Sequence, residues 1–121
     1  MKLETVEQFK KCVVKYTEKL KLDAYGWKVT VICDDYELIN ESQLGVQVCY
    51  NANTKVAEIK LYTKEGIMVQ LNTIDEIVIH ELLHLKLWYV DEYDDNVTQI
   101  LNEQFINDLA PMLYQSFKEE E

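Results

Sequence analysis

The chain has 121 residues, 48% hydrophobic and 11% aromatic, with three glycines and one proline. That composition fits one ordered domain with a real core and excludes a low-complexity chain, a flexible linker or room for a separate substrate domain. A formal net charge of −10 repels phosphate backbones and anionic membranes, which excludes nucleic acid and membrane surfaces as expected partners.

From the N-terminus, Thr5 to Leu22 carries apolar residues at Val6, Phe9, Val13, Tyr16 and Leu20, a helical period with Thr5 as the expected cap. The opening residues Met1 to Phe9 are charged where a signal peptide needs an apolar core. No run approaches the roughly 20 apolar residues of a membrane span, so a cytoplasmic product is expected. Trp27 to Cys33, Leu44 to Tyr50 and Val56 to Tyr62 alternate in the manner of strands, broken at Asp34-Asp35 and at Asn51-Ala52-Asn53-Thr54. The shortness of the second break predicts that the last two strands pair as an antiparallel hairpin. Cys12, Cys33 and Cys49 are odd in number and share no C-x-x-C spacing, so they read as buried, unpaired thiols.

Thr73 followed by Glu76 is a capping box that opens a helix running to about Tyr89. Ile74, Val78, Leu82 and Leu85 form one apolar stripe of it, while Ile79, Leu83 and Leu87 lie elsewhere around the cylinder. A helix apolar on most sides must be buried between other elements. Asp91 to Asn96 reads as a polar, acidic connection. Helical periodicity then resumes from Val97 to Leu109, with Pro111 expected to kink or restart it. The predicted class is α+β: an N-terminal helix, a small three-stranded sheet, then two helices.

The motif that carries chemistry is His80-Glu81-Leu82-Leu83-His84, the H-E-x-x-H pattern of zinc-binding helices. Residues four apart share a helix face, so both imidazoles can reach one metal ion. Glu81 is rotated about a quarter turn from His80, where it suits a general base on a metal-bound water better than a ligand. These are the only two histidines of the chain. By composition, such an arrangement arises by chance in about one chain in a few hundred.

A catalytic zinc ordinarily takes three protein ligands and a water. Leu87 and Val90 occupy the positions where the variant with a third histidine requires Gly and His, so a carboxylate must complete the set. Asp91, Glu92, Asp94, Asp95 and Glu103 are the candidates. The first four read as an exposed acidic linker. Glu103 lies mid-helix, where a second helix packed through Ile100, Phe105 and Ile106 could aim it at the metal.

His80-Glu81-x-x-His84 and then, after eighteen intervening residues of which Asn102 is the last, Glu103 resemble the gluzincin metallopeptidases, the thermolysin-like group, and at this length the minigluzincin and phage-like or mobile-element metallopeptidases. The resemblance covers about residues 73 to 110 and implies a minimal zincin fold with one zinc ion held by His80, His84 and Glu103. It further implies Glu81 as general base and a carboxylate four residues after Glu103 as partner of a zinc histidine. Here Asn107 stands at that position, with Asp108 beside it. No histidine follows His84, which leaves Tyr89, Tyr93 or Tyr114 to stabilise a transition state. The implied activity is hydrolysis of peptide bonds in a peptide or protein substrate, with extended substrate adding to the edge of the third strand, Val56 to Tyr62. Competing readings are a latent protease blocked by its own terminus and a non-catalytic zinc-binding interaction module.

Overall fold

The computed structural model describes residues 3–33, 44–63 and 73–121. Its elements are α1 (Leu3–Lys19), β1 (Lys28–Cys33), β2 (Leu44–Asn51), β3 (Val56–Thr63), α2 (Ile74–Lys86), α3 (Trp88–Asp91) and α4 (Asn96–Glu119), an α+β fold. The expected break at Asp34-Asp35 lies outside the described residues.

Helix α1 buries Val6, Phe9, Cys12, Val13 and Tyr16, the stripe its periodicity predicts. It starts earlier than the sequence suggested, so Thr5 lies inside the helix rather than capping it. It also ends earlier, at a turn the periodicity cannot show. Lys21 adopts φ 59°. The Lys21 N–H donates to the carbonyl of Glu18, and that of Leu22 to the carbonyl of Thr17. This pair of bonds satisfies the last carbonyls of the helix with a left-handed residue, here a lysine where glycine is usual. Leu20 and Leu22 then fold back into the core.

The sheet order is β1-β3-β2, with β3 parallel to β1 and antiparallel to β2. The β2–β3 hairpin is as predicted, and its turn is tied by the Asn51 side chain, which accepts from the N–H groups of Asn53 and Thr54. The expectation that β3 is an exposed edge is overturned: it is the central strand. Its alternation, with Ala57, Ile59 and Leu61 buried, marks one covered face, and a central and an edge strand share that pattern. Which neighbours take its backbone hydrogen bonds is decided by the crossover that returns β1 to its side.

Helix α2 packs against α1, α4 and β2, which is why its apolar residues spread around the cylinder; Val78, Ile79, Leu82, Leu83 and Leu85 are all buried. Thr73 caps it by accepting the Glu76 N–H. The helix stops at Lys86 rather than Tyr89, and Leu87 leads into the single turn α3. Asp95 caps α4 by accepting from the Val97 N–H and the Thr98 hydroxyl. Pro111 does not restart the helix: it lies inside α4. Proline deprives the carbonyl four residues back of its donor, but Asn107 is exposed, so water can satisfy that carbonyl and the helix runs on to Glu119. Among the described residues no helix is long and apolar enough to cross a membrane.

The cysteines form no disulfide, but only Cys12 is buried; Cys33 is half-buried and Cys49 exposed. The expectation of three buried thiols is corrected because Cys49 falls on the outward phase of β2. Burial, reinforced by the neighbouring Asp75 carboxylate, pushes the Cys12 thiol up to about 12. Since the thiolate is the nucleophile, iodoacetamide applied to the folded protein should modify Cys49 first and Cys12 last. Mass mapping of the labelled peptides checks the order, and after denaturation all three should react.

Candidate metal centre

Helix α4 runs back along α2. Phe117 stacks on Tyr16 at 5.8 Å, and the Tyr16 hydroxyl donates to Asp75 at the start of α2. At the other end, Asn102 and Glu103 lie beside the C-terminal half of α2. The contact is made by the buried Asn102, Ile106 and Ala110, with Leu109 and Leu113 at its margin. Ile106 therefore plays the packing role expected of it. Ile100 and Phe105 do not: they are 58% and 53% exposed, on the side of α4 turned away from α2.

This packing brings His80, His84 and Glu103 together, with one ligand atom from each lying within 4.8 Å of the others. Glu103 presents Oε1 to His80 Nε2 at 2.9 Å and Oε2 to His84 Nε2 at 3.1 Å. The two rings stand 5.4 Å apart at 61°, as two imidazoles converging from one helix face do. Helical spacing alone aligns the histidines. Only the α2–α4 contact supplies the carboxylate.

A further carboxylate sets the ring chemistry. Asp91, at the end of α3, lies 2.8 Å from His84 Nδ1 through Oδ2, and its Oδ1 accepts from Asn102 Nδ2 at 2.6 Å. A carboxylate only accepts, so Nδ1 carries the hydrogen and the Nε2 lone pair faces Glu103. A lone pair and a carboxylate oxygen 3.1 Å apart repel each other unless a cation stands between them, either a proton or a metal ion. Burial lowers the pKa of His80 despite the opposing pull of Glu103, which favours the neutral, ligating imidazole.

The residues fit a metal ion by a second test. A tetrahedral zinc shell with bonds of about 2.0–2.2 Å places neighbouring ligand atoms roughly 3.4 Å apart. The His80–Glu103 and His84–Glu103 separations, 2.9 and 3.1 Å to the two different oxygens of Glu103, are a few tenths of an ångström shorter, and one ligand atom from each of the three residues lies within 4.8 Å of the others. Small side-chain motions cover the difference.

The supporting residue is thus not where the resemblance implied. Asn107 and Asp108 are exposed, and among the described residues neither hydrogen-bonds His80 or His84. Asp91 takes that place, and sequence reasoning missed it by assigning it to an exposed linker. It is half-buried because the chain makes one extra turn, α3, before leaving α2. The available signal was Asn102, a polar residue at an inward phase of α4, where it is 7% exposed. Glu92, Asp94 and Asp95 are exposed, and Asp95 serves as the α4 cap.

Of the three tyrosines considered, Tyr114 is eleven residues beyond Glu103, about 16 Å along the helix axis. Tyr89 and Tyr93 are 55% and 61% exposed. Tyr50, whose ring packs edge-on against Trp27, has its pKa raised by burial, with the charges of Asp91 and Glu92 adding to the effect.

Asp91→Asn should weaken metal binding about 10- to 100-fold, the range for loss of a residue that orients a metal histidine. Asn102 can still donate to the new amide oxygen, which turns the amide nitrogen toward His84 and drives the ring to the tautomer whose Nε2 is protonated. Competition against a zinc indicator measures the loss, and unchanged affinity would show that Asp91 does not orient His84.

Comparison with protein-family models, curated proteins and solved structures finds no match to this chain. The fold and site define a small α+β chain with a His/His/Glu group able to hold a metal ion.

Proposed function

We propose that this chain is a zinc-dependent endopeptidase of the gluzincin type, in which His80, His84 and Glu103 hold the ion and Glu81 is the general base. The observation that carries the reading is the Glu103 carboxylate, delivered by a separate helix to face both Nε2 atoms while Asp91 occupies the other nitrogen of His84. Two imidazoles with one carboxylate suit zinc better than calcium or magnesium, which prefer all-oxygen shells. Structural zinc sites are closed by four protein ligands, whereas catalytic ones use three. The 48% exposure of the Glu103 side chain gives solvent and substrate an approach.

When bound, zinc supplies Lewis acidity, making a water acidic near neutral pH and polarising a substrate carbonyl. Glu81 follows His80 by one residue, about 100° around α2, and is half-buried. Its carboxylate accepts the proton of the attacking water and returns it to the leaving amine. With β3 central, an extended peptide would pair with β2, which among the described residues is an edge strand and packs on the site helix.

The C-terminal end of α4 lies away from the His80, His84 and Glu103 group. Glu120 and Glu121 pair with Lys19 and Lys15 on α1. Phe117, at that end of α4, lies fourteen residues, about 21 Å, along the helix from Glu103.

Metal analysis of the purified protein should find about one zinc ion per chain. Cleavage of casein should stop on chelation and return when zinc is added. A protein that binds no zinc, or that cleaves equally well in chelator, sinks the proposal.

A further inference from the structure

A second site lies where the end of α1, the β2–β3 turn and the end of α2 meet. A cavity of about 270 Å³ is walled there by Tyr25, Trp27, Trp88 and Tyr89, with Lys55 and Lys86 at its margin. Lys86 is two residues beyond His84, about 160° around α2, so this cavity opens on a different side of the helix from the metal group.

Among the described residues the two lysines are held but not neutralised. Lys86 Nζ donates to the Leu20 carbonyl at 2.9 Å and sits 4.1 Å from the centre of the Tyr25 ring. Lys55 Nζ donates to the Tyr25 carbonyl at 2.8 Å. A carbonyl or a ring face fixes an ammonium in place without cancelling its charge, and each ammonium has three N–H donors. Neither lysine has a carboxylate partner among the described residues, although the chain carries 22 acidic residues against 12 basic ones. In such a chain, two fixed cations lining the same aromatic cavity, with no acid paired to either among the described residues, form an anion site with a ring-stacking surface. The overall negative field does not forbid it, because at physiological salt charges more than about 8 Å away are largely screened.

We propose that this cavity binds a small carboxylate bearing an aromatic ring, the ring lying among Tyr25, Trp27, Trp88 and Tyr89 and the carboxylate meeting Lys55 and Lys86. The volume lies just under the roughly 300–1,000 Å³ of ordinary ligand pockets, which suits one ring with a short acidic arm. The site is independent of the metal reading and stands or falls separately from it.

The chain has two tryptophans, Trp27 and Trp88, and both line this cavity, so their fluorescence reports its occupancy directly. The protein is titrated with 3-phenylpropionate and, separately, with 3-phenylpropionamide, which has the same ring and length but no charge. The acid is expected to saturate the signal and to bind at least about tenfold more tightly than the amide, since a hydrogen bond to a charged partner is worth that much. Lys55→Met and Lys86→Met should each bring the acid toward the affinity of the amide. Equal affinities for acid and amide, or no saturable change with the acid through the millimolar range, would overturn the proposal. Folded variants that bind the acid like the unaltered protein would do the same. Should a lysine variant fail to fold, the comparison of acid with amide on the unaltered protein decides alone.

Discussion

Changing Glu81 to Gln is expected to leave zinc bound and to slow peptide hydrolysis by about 10² to 10⁴, the usual worth of a general base. The substitution keeps the size of the side chain and an acceptor oxygen but removes the group that takes the proton. His80, His84 and Glu103 are untouched, so the zinc content is the internal control. The measurement is initial-rate cleavage of casein by preparations matched for zinc. Equal rates in the two proteins would refute Glu81 as the base and with it the hydrolytic mechanism. If neither protein cleaves while both hold zinc, the metal-binding interaction module becomes the better reading.

The second large effect is expected at the third ligand. Glu103→Ala should weaken zinc binding by more than the roughly 10- to 100-fold that loss of an orienting residue costs, because it removes a donor outright and leaves two imidazoles facing an incomplete shell. Glu92→Ala should change little, since Glu92 is exposed at the end of α3. Glu103 is itself exposed, on the rim of α4, so its loss should not unfold the helix packing that rests on Asn102, Ile106 and Ala110. Parallel zinc titrations with far-ultraviolet circular dichroism separate binding from folding. Full zinc affinity in the Glu103 variant would overturn the choice of ligand, and its loss in the Glu92 variant would relocate the site to α3.

The sequence by itself determined the features whose causes are local. The period of Val6, Phe9, Val13 and Tyr16 fixed the buried face of α1, and strand alternation fixed which side chains of β3 point inward. The Thr73 cap fixed where α2 begins, and the four-residue spacing within that helix set His80 and His84 on one face. Glu103 was legible only as the best of several carboxylates, because no local rule says which acid a second helix will bring beside His80 and His84. Tertiary structure decided that, by packing Ile106 and Ala110 of α4 against α2. It also placed β3 in the middle of the sheet, since one-sided burial looks the same at an edge and at the centre. Asp91 was beyond sequence for the same reason. An acid in a polar stretch reads as solvated until the extra turn of α3 and the inward amide of Asn102 bring it to His84, and a hydrogen bond across three elements exists only once all three have packed.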